Sequence, residues 1–189
     1  MRNEAVIDLK FKRRRQGITN YKKRLALVKS GLDRVVVRQS SRRVLGQIVR
    51  YEEKGDKVIA SADSAELLKQ YGWPSRSNRA TAYLTGLLLA KKAKAGEGEL
   101  VLDTGLSSPV KDSIPFVFAK GCIDGGLKII GNIEISESAY GAERMVKYEA
   151  ALAKSQKGAK HFTAYEKSGM KVESLPALFK AARAKLTSG

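Results

Sequence analysis

Three short stretches carry residue types that do covalent chemistry, and each lacks a necessary partner. Leu102-Asp103-Thr104-Gly105 sets an aspartate at the end of an apolar run, like half of an aspartyl protease site. That chemistry needs two carboxylates sharing one proton, and the tripeptide occurs once; the expected role of Asp103 is to end a strand in an ordinary turn. Cys122 would need a base close by, and the one histidine, His161, lies in a polar C-terminal stretch. A lone cysteine between Gly121 and Ile123 reads as a core residue, and it excludes an internal disulfide or a multi-cysteine zinc centre. Gly96-Glu97-Gly98 precedes an apolar run instead of following one, and no Gly-Lys-Ser/Thr follows Gly125-Gly126, so neither is a phosphate loop. The expectation is a protein with no catalytic residues, metal, cofactor or small-molecule substrate.

What the residues can do is hold a polyanion. Lys10-Phe11-Lys12-Arg13-Arg14-Arg15 is followed by Gly17, Thr19, Asn20 and Tyr21, and then by Lys22-Lys23-Arg24. So many like charges repel one another, and no apolar period there supports a packed element. The expectation is an arm that gains order when phosphates neutralise it. Phe11 and Tyr21 offer rings for stacking on bases, and Thr19 and Asn20 offer short polar contacts, which favours RNA. A second cluster, Ser40-Ser41-Arg42-Arg43, brings two hydroxyls and two guanidiniums to a tight connection, where forked Arg contacts suit phosphate oxygens. Arg34, Arg38, Gln47 and Arg50 flank that connection and would widen the patch. The bland alternatives are a solvated face and a polar turn that merely tolerates charge.

The whole-chain balance agrees. The 189 residues hold 36 Lys and Arg against 19 Asp and Glu, a net charge of +17, and residues 1–50 hold 15 of the basic and 3 of the acidic ones. Such a charge favours a polyanionic partner, nucleic acid first and an acidic membrane surface second. An apolar content of 43% suffices for one core and excludes a disordered tail protein, while the length excludes a multi-domain enzyme. The longest apolar stretch, Leu84 to Ala90, meets Lys91 and Lys92 and is too short to span a bilayer. Met1 to Asp8 lacks the apolar run of a secretory leader, so an intracellular setting is expected. Two rivals stay open: a chromatin-like DNA-binding protein, and a nuclease or aspartyl hydrolase on a basic scaffold. Against the second, the adjacent Glu52 and Glu53 would point to opposite sides of an extended segment.

The elements that must position these groups can be read from periodicity. A short helix over Tyr21 to Lys29 stops at Gly31. Strands follow at Arg34–Gln39, Val44–Tyr51 and Lys57–Ala62, joined by tight polar turns as an antiparallel meander. Asp63 with Glu66 and then Gly72 bound a helix over Ser64–Tyr71. A longer helix runs from about Ser77 or Asn78 to Ala95, with one buried face built on Ala80, Tyr83, Leu84, Leu87 and Leu88. Gly98–Thr104 is a fourth strand, reached by a crossover, and a helix from Ser113 to Gly125 follows. This predicts an α/β fold, a mixed four-stranded sheet with helices packed on it. The division is a basic arm over 1–30, a core over 31–131 and a helical extension over 132–189. That extension holds a surface helix over Ala139–Lys154, a linker at Ser155–Gly158 and a last helix opening at Ser174-Leu175-Pro176 and running through Phe179 and Leu186, as an appendage without its own core.

Four stretches go further than composition. Phe11 to Leu25 (FKRRRQGITNYKKRL), Arg34 to Ser40 (RVVVRQS), Trp73 to Leu89 with Ala82–Leu88 (AYLTGLL), and Phe116 to Lys128 resemble, in this order, the large-subunit ribosomal protein eighteen family. Its eukaryotic relative is ribosomal protein five of the large subunit. The length and the appended helices look archaeal. The resemblance implies a three-layer α/β fold and a cytoplasmic, ribosome-bound protein. It further implies a partner in 5S ribosomal RNA, which would be attached to the large-subunit rRNA at the central protuberance among neighbouring ribosomal proteins. The RNA contacts it implies fall on Lys12 to Arg15, Thr19 to Tyr21 and Lys22 to Arg24, and on Arg38, Ser40, Arg42 and Arg43. At the hairpin tip the chain departs from archaeal relatives, which often carry Asn, Lys and His where Ser41, Arg42 and Arg43 stand.

Overall fold

The chain enters through two helical pieces. In the computed structural model, which describes residues 9–74, 77–93, 98–108, 110–154, 165 and 171–187, α1 spans Lys12–Arg15 and α2 spans Tyr21–Lys29. Gly17 turns the chain between them at φ 64°, a value that favours glycine. Asn20 then caps α2 by accepting a hydrogen bond from the Lys23 amide at 3.2 Å. The described part of the arm is thus built of two short helices, where its charge gave no sign of a packed element. What holds it lies outside the arm, in a carboxylate on the turn between the second and third strands.

Side chains of a strand alternate between faces, and β1 (Asp33–Gln39) is filled on both. Val35 and Val37 enter the core, while Arg34, Val36 and Arg38 share the opposite face. β2 (Val44–Arg50) and β3 (Lys57–Asp63) complete the antiparallel meander, with Val36 opposite Gln47. Asp63 and Glu66 form a capping box at the start of α3 (Ser64–Tyr71), and Gly72 closes it in the left-handed conformation. α4 (Arg79–Ala93) carries the chain across to β4 (Glu99–Asp103), which pairs parallel with β1, not with β3. α5 (Ile114–Asp124) leads to a fifth strand, β5 (Lys128–Ile129), so the sheet order is β3-β2-β1-β4-β5. At two residues, β5 is too short to show a period in the sequence.

The expected single buried face of α4 is corrected. Every residue from Ala80 to Ala90 is buried, because the helix has the sheet on one side, α5 beside it and the C-terminal helix behind it. Where α4 and α5 cross, Gly86 and Gly121 let the backbones touch. A Cβ on Gly86 would collide with the Phe118 carbonyl oxygen, and one on Gly121 with that of Tyr83.

The expected helix over 139–154 is two, α6 (Glu137–Tyr140) and α7 (Glu143–Lys154), and the break at Gly141 lets Ala139, Tyr140 and Ala142 all turn inward. The linker at 155–158 and His161 lie outside the described residues. A short 3-10 turn (Val172–Ser174) opens α8 (Leu175–Thr187). Leu175, Phe179, Ala182 and Leu186 join the same apolar cluster as the strands, so three layers form: sheet, α4 with α5, and the C-terminal helices. Tyr83 ties the layers together. Its ring stacks on Tyr140 at 4.2 Å, Arg183 lies 5.4 Å above it, and its hydroxyl donates to Asp124 at 2.9 Å. Burial and then that carboxylate push the Tyr83 phenol well above its ordinary pKa.

Candidate nucleic-acid interface

With helices on one face of the sheet, the opposite face is left to the arm. α2 reaches it through Arg24, whose Nη2 donates to both carboxylate oxygens of Asp56 at 2.9 Å, on the turn between β2 and β3. Asp56 Oδ2 also lies 2.8 Å from Nη2 of Arg34, which in turn contacts Asp103 at 3.3 Å. One carboxylate therefore bolts the arm to the first strand. Partial burial pushes the Asp56 carboxyl up. The contacts and charges of Arg34, and then of Arg24, outweigh that and hold it below the ordinary carboxylate range.

This network corrects the reading of Arg34 as a surface cation. Its side chain is 3% exposed and lies between two carboxylates, with Nε left without a hydrogen-bond partner. Through Asp56, Arg34 holds the arm against the first strand. Arg50 is also committed, donating through Nε and Nη2 to the two oxygens of Asp33 at 3.0 and 2.8 Å, at the far end of β2 from the hairpin tip. At the tip, the Ser40 hydroxyl accepts the amides of Arg42 and Arg43 at 3.3 and 2.9 Å and so builds the turn itself. Ser41 and Arg42 project from that turn, exposed, and the exposed Arg43 guanidinium lies 3.5 Å from Asp63.

The arm divides in the same way. Arg13 donates from Nε to Thr19 Oγ1 at 2.9 Å, closing the loop between α1 and α2, and Asn20 is the cap already described. Phe11 and Tyr21 pack ring to ring at 5.2 Å, with Phe11 left 71% exposed. Lys12, Arg14, Arg15, Lys22 and Lys23 are exposed and have no acidic partner among the described residues.

Two clefts, each ≈ 530 Å³, open between the arm and the sheet. The first runs between Arg13, Lys23 and Arg38 and the turn Asp103–Ser107; the second lies over Val36, Gln47 and Val49. Two contributors give no sign of this role in the sequence. Asp56 stands in the polar turn between β2 and β3, and its partners are 22 and 32 positions away. The turn after β4 is the other: Asp103 Oδ1 accepts the Gly105 amide at 2.8 Å, and Gly105, at φ 61°, lets Arg38 lie against it. A Cβ there would stand 2.7 Å from Arg38 Nη1. The aspartate of the Asp-Thr-Gly string thus ends a strand and builds a wall of the cleft. Cys122 is fully buried, and burial raises its thiol far above the ordinary range. Among the described residues no helix is long and apolar enough to cross a membrane.

A helix-backed sheet whose open face carries a docked cationic arm, with its carboxylates tied to arginines, defines the class of a binding protein for a polyanion. The chain belongs to the family described as ribosomal large subunit proteins 60S L5 and 50S L18, whose model matches residues 7–99. Three relatives carry the name "Large ribosomal subunit protein uL18". That of Saccharolobus solfataricus is 41% identical over 191 positions, covering 98% of this chain and 96% of the relative. That of Thermofilum pendens is 44% identical over 192, covering 98% and 97%. That of Sulfurisphaera tokodaii is 39% identical over 186, covering 96% and 95%. The chain is accordingly a structural constituent of the large ribosomal subunit, in the cytoplasm, and not an enzyme.

Proposed function

We propose that the protein binds 5S rRNA through its arm, the open sheet face and the hairpin tip, and so helps attach it to the large-subunit rRNA at the central protuberance. The observation that carries this is the division of labour among the cations. Arg24, Arg34 and Arg50 are committed to carboxylates and hold the geometry. Lys12, Arg13, Arg14, Arg15, Lys22, Lys23, Arg38 and Arg42 are left facing outward for phosphates. Phe11 and Tyr21 add rings for unpaired bases, while Thr19, Asn20 and Ser40 shape the backbone that presents these groups. Ser41 and Arg43 complete the tip. Residues 1–30 act as the RNA arm and 31–131 as the platform. The extension, 132–189, offers its outer surface to neighbouring large-subunit proteins.

The test is to recover the tagged full-length protein from a cell extract and sequence the RNA that comes with it. Intact 5S rRNA is expected, retained against excess duplex DNA. Protein free of small ribosomal RNA, or accompanied by cut RNA, would refute the reading.

A further inference from the structure

The cleft over the open sheet face is built differently from the rest of the cationic surface. Its volume, ≈ 530 Å³, lies within the roughly 300–1,000 Å³ of small-ligand sites. Val36 and Val49, both buried on their strands, give it an apolar floor, and the Tyr21 ring stands at its side. The half-buried side-chain amide of Gln47, opposite Val36 in the register, also lines it and makes no hydrogen bond among the described residues. Asp56 occupies Arg24 and Arg34, so attraction for an entering anion falls to Arg13 and Arg38.

A duplex needs only cations on an open surface, since its bases face inward. An apolar floor, an aromatic wall and a free amide suit a base taken out of its stack, because the amide both donates and accepts along a base edge. We propose that this cleft receives one unpaired nucleotide of the bound RNA, its base against Tyr21 and the valine floor and read by Gln47, its phosphate between Arg13 and Arg38. The proposal rests on the RNA-binding reading above and adds to it a single-nucleotide site with base recognition.

Full-length protein and a 5S rRNA transcript, titrated across a salt series with base-selective chemical probing of the RNA, provide the test. Wild type should protect one unpaired base. Gln47→Ala should expose that base and weaken binding about tenfold, the size of one or two lost hydrogen bonds, without changing the salt slope. Lys22→Ala should lower the slope by about one and leave the base protected. Thermal melting checks each fold, and the isosteric Gln47→Glu serves in place of a poorly folded alanine variant. Variants at Gln47 that bind within about twofold of wild type, with the same protection, would overturn the nucleotide site and leave RNA binding standing. Failure of the wild type to bind the transcript would instead remove the function on which the site depends.

Discussion

Arg34 and Arg38 stand four residues apart on one face of one strand, yet Arg34 is buried between two carboxylates and Arg38 is exposed at the cleft. Their difference comes from Asp56, which the β2–β3 turn delivers to one end of the strand only. Replacing it, as Asp56→Asn, removes the charge that joins Arg24 to Arg34. We expect a loss of about 2 kcal/mol, between the values for exposed and buried pairs. Trypsin should then cut faster within residues 12–24, and an unchanged cleavage rate would contradict the bolt. The pH dependence follows from the depressed carboxyl. Its folded value lies below the ordinary 3.8, so its contribution is complete above that value and fades as pH falls through the folded one. Arm protection should therefore be flat at neutral pH and drop only in acid, and the acid step should be missing in Asp56→Asn.

At the level of elements, α4 shows how composition can mislead. Thr81, Thr85 and Gly86 look like a polar face, but Thr81 Oγ1 accepts the Trp73 indole N–H at 2.8 Å and Thr85 Oγ1 donates to the Thr81 carbonyl at 2.7 Å. Their polarity is satisfied internally, so that side of the helix can be buried as well. Gly86 and Gly121 then set how closely α4 and α5 approach. Gly121→Ala should cost about 1–3 kcal/mol or more, as overpacking with backbone contact does, read as a lower urea midpoint. The arm behaves oppositely, since α1 has no buried residue. Deleting residues 1–20 should lower RNA affinity on the order of a hundredfold or more while moving the thermal midpoint by only a few degrees. Loss of cooperative folding would place the arm in the core.

For the whole molecule, net charge and one shared core make separate predictions. If about six phosphates are neutralised, affinity should fall on the order of a thousandfold between about 50 and 200 mM salt; a flat response in filter binding would deny that the +17 charge drives association. The core runs from the strands through α4 to Phe179 and Leu186. Truncation after residue 131 would strip Phe179 from Trp73, 5.8 Å between rings, and Tyr140 from Tyr83. We expect the truncated chain to aggregate or melt far earlier, whereas the full chain unfolds in a single transition.

The sequence by itself determined what depends on neighbours along the chain. Asp63 and Glu66 marked the start of α3, a nearly continuous β-branched run marked β1, and the crowding of basic residues before position 50 marked the segment expected to meet an anion. These signals are local because caps, pleats and charge density act over a few residues. Only the tertiary structure decided which cations remain available. Arg24 meets Asp56 across 32 positions and Arg34 meets Asp103 across 69. Contacts at such separations depend on strand order and crossover geometry, which no run of neighbouring residues encodes.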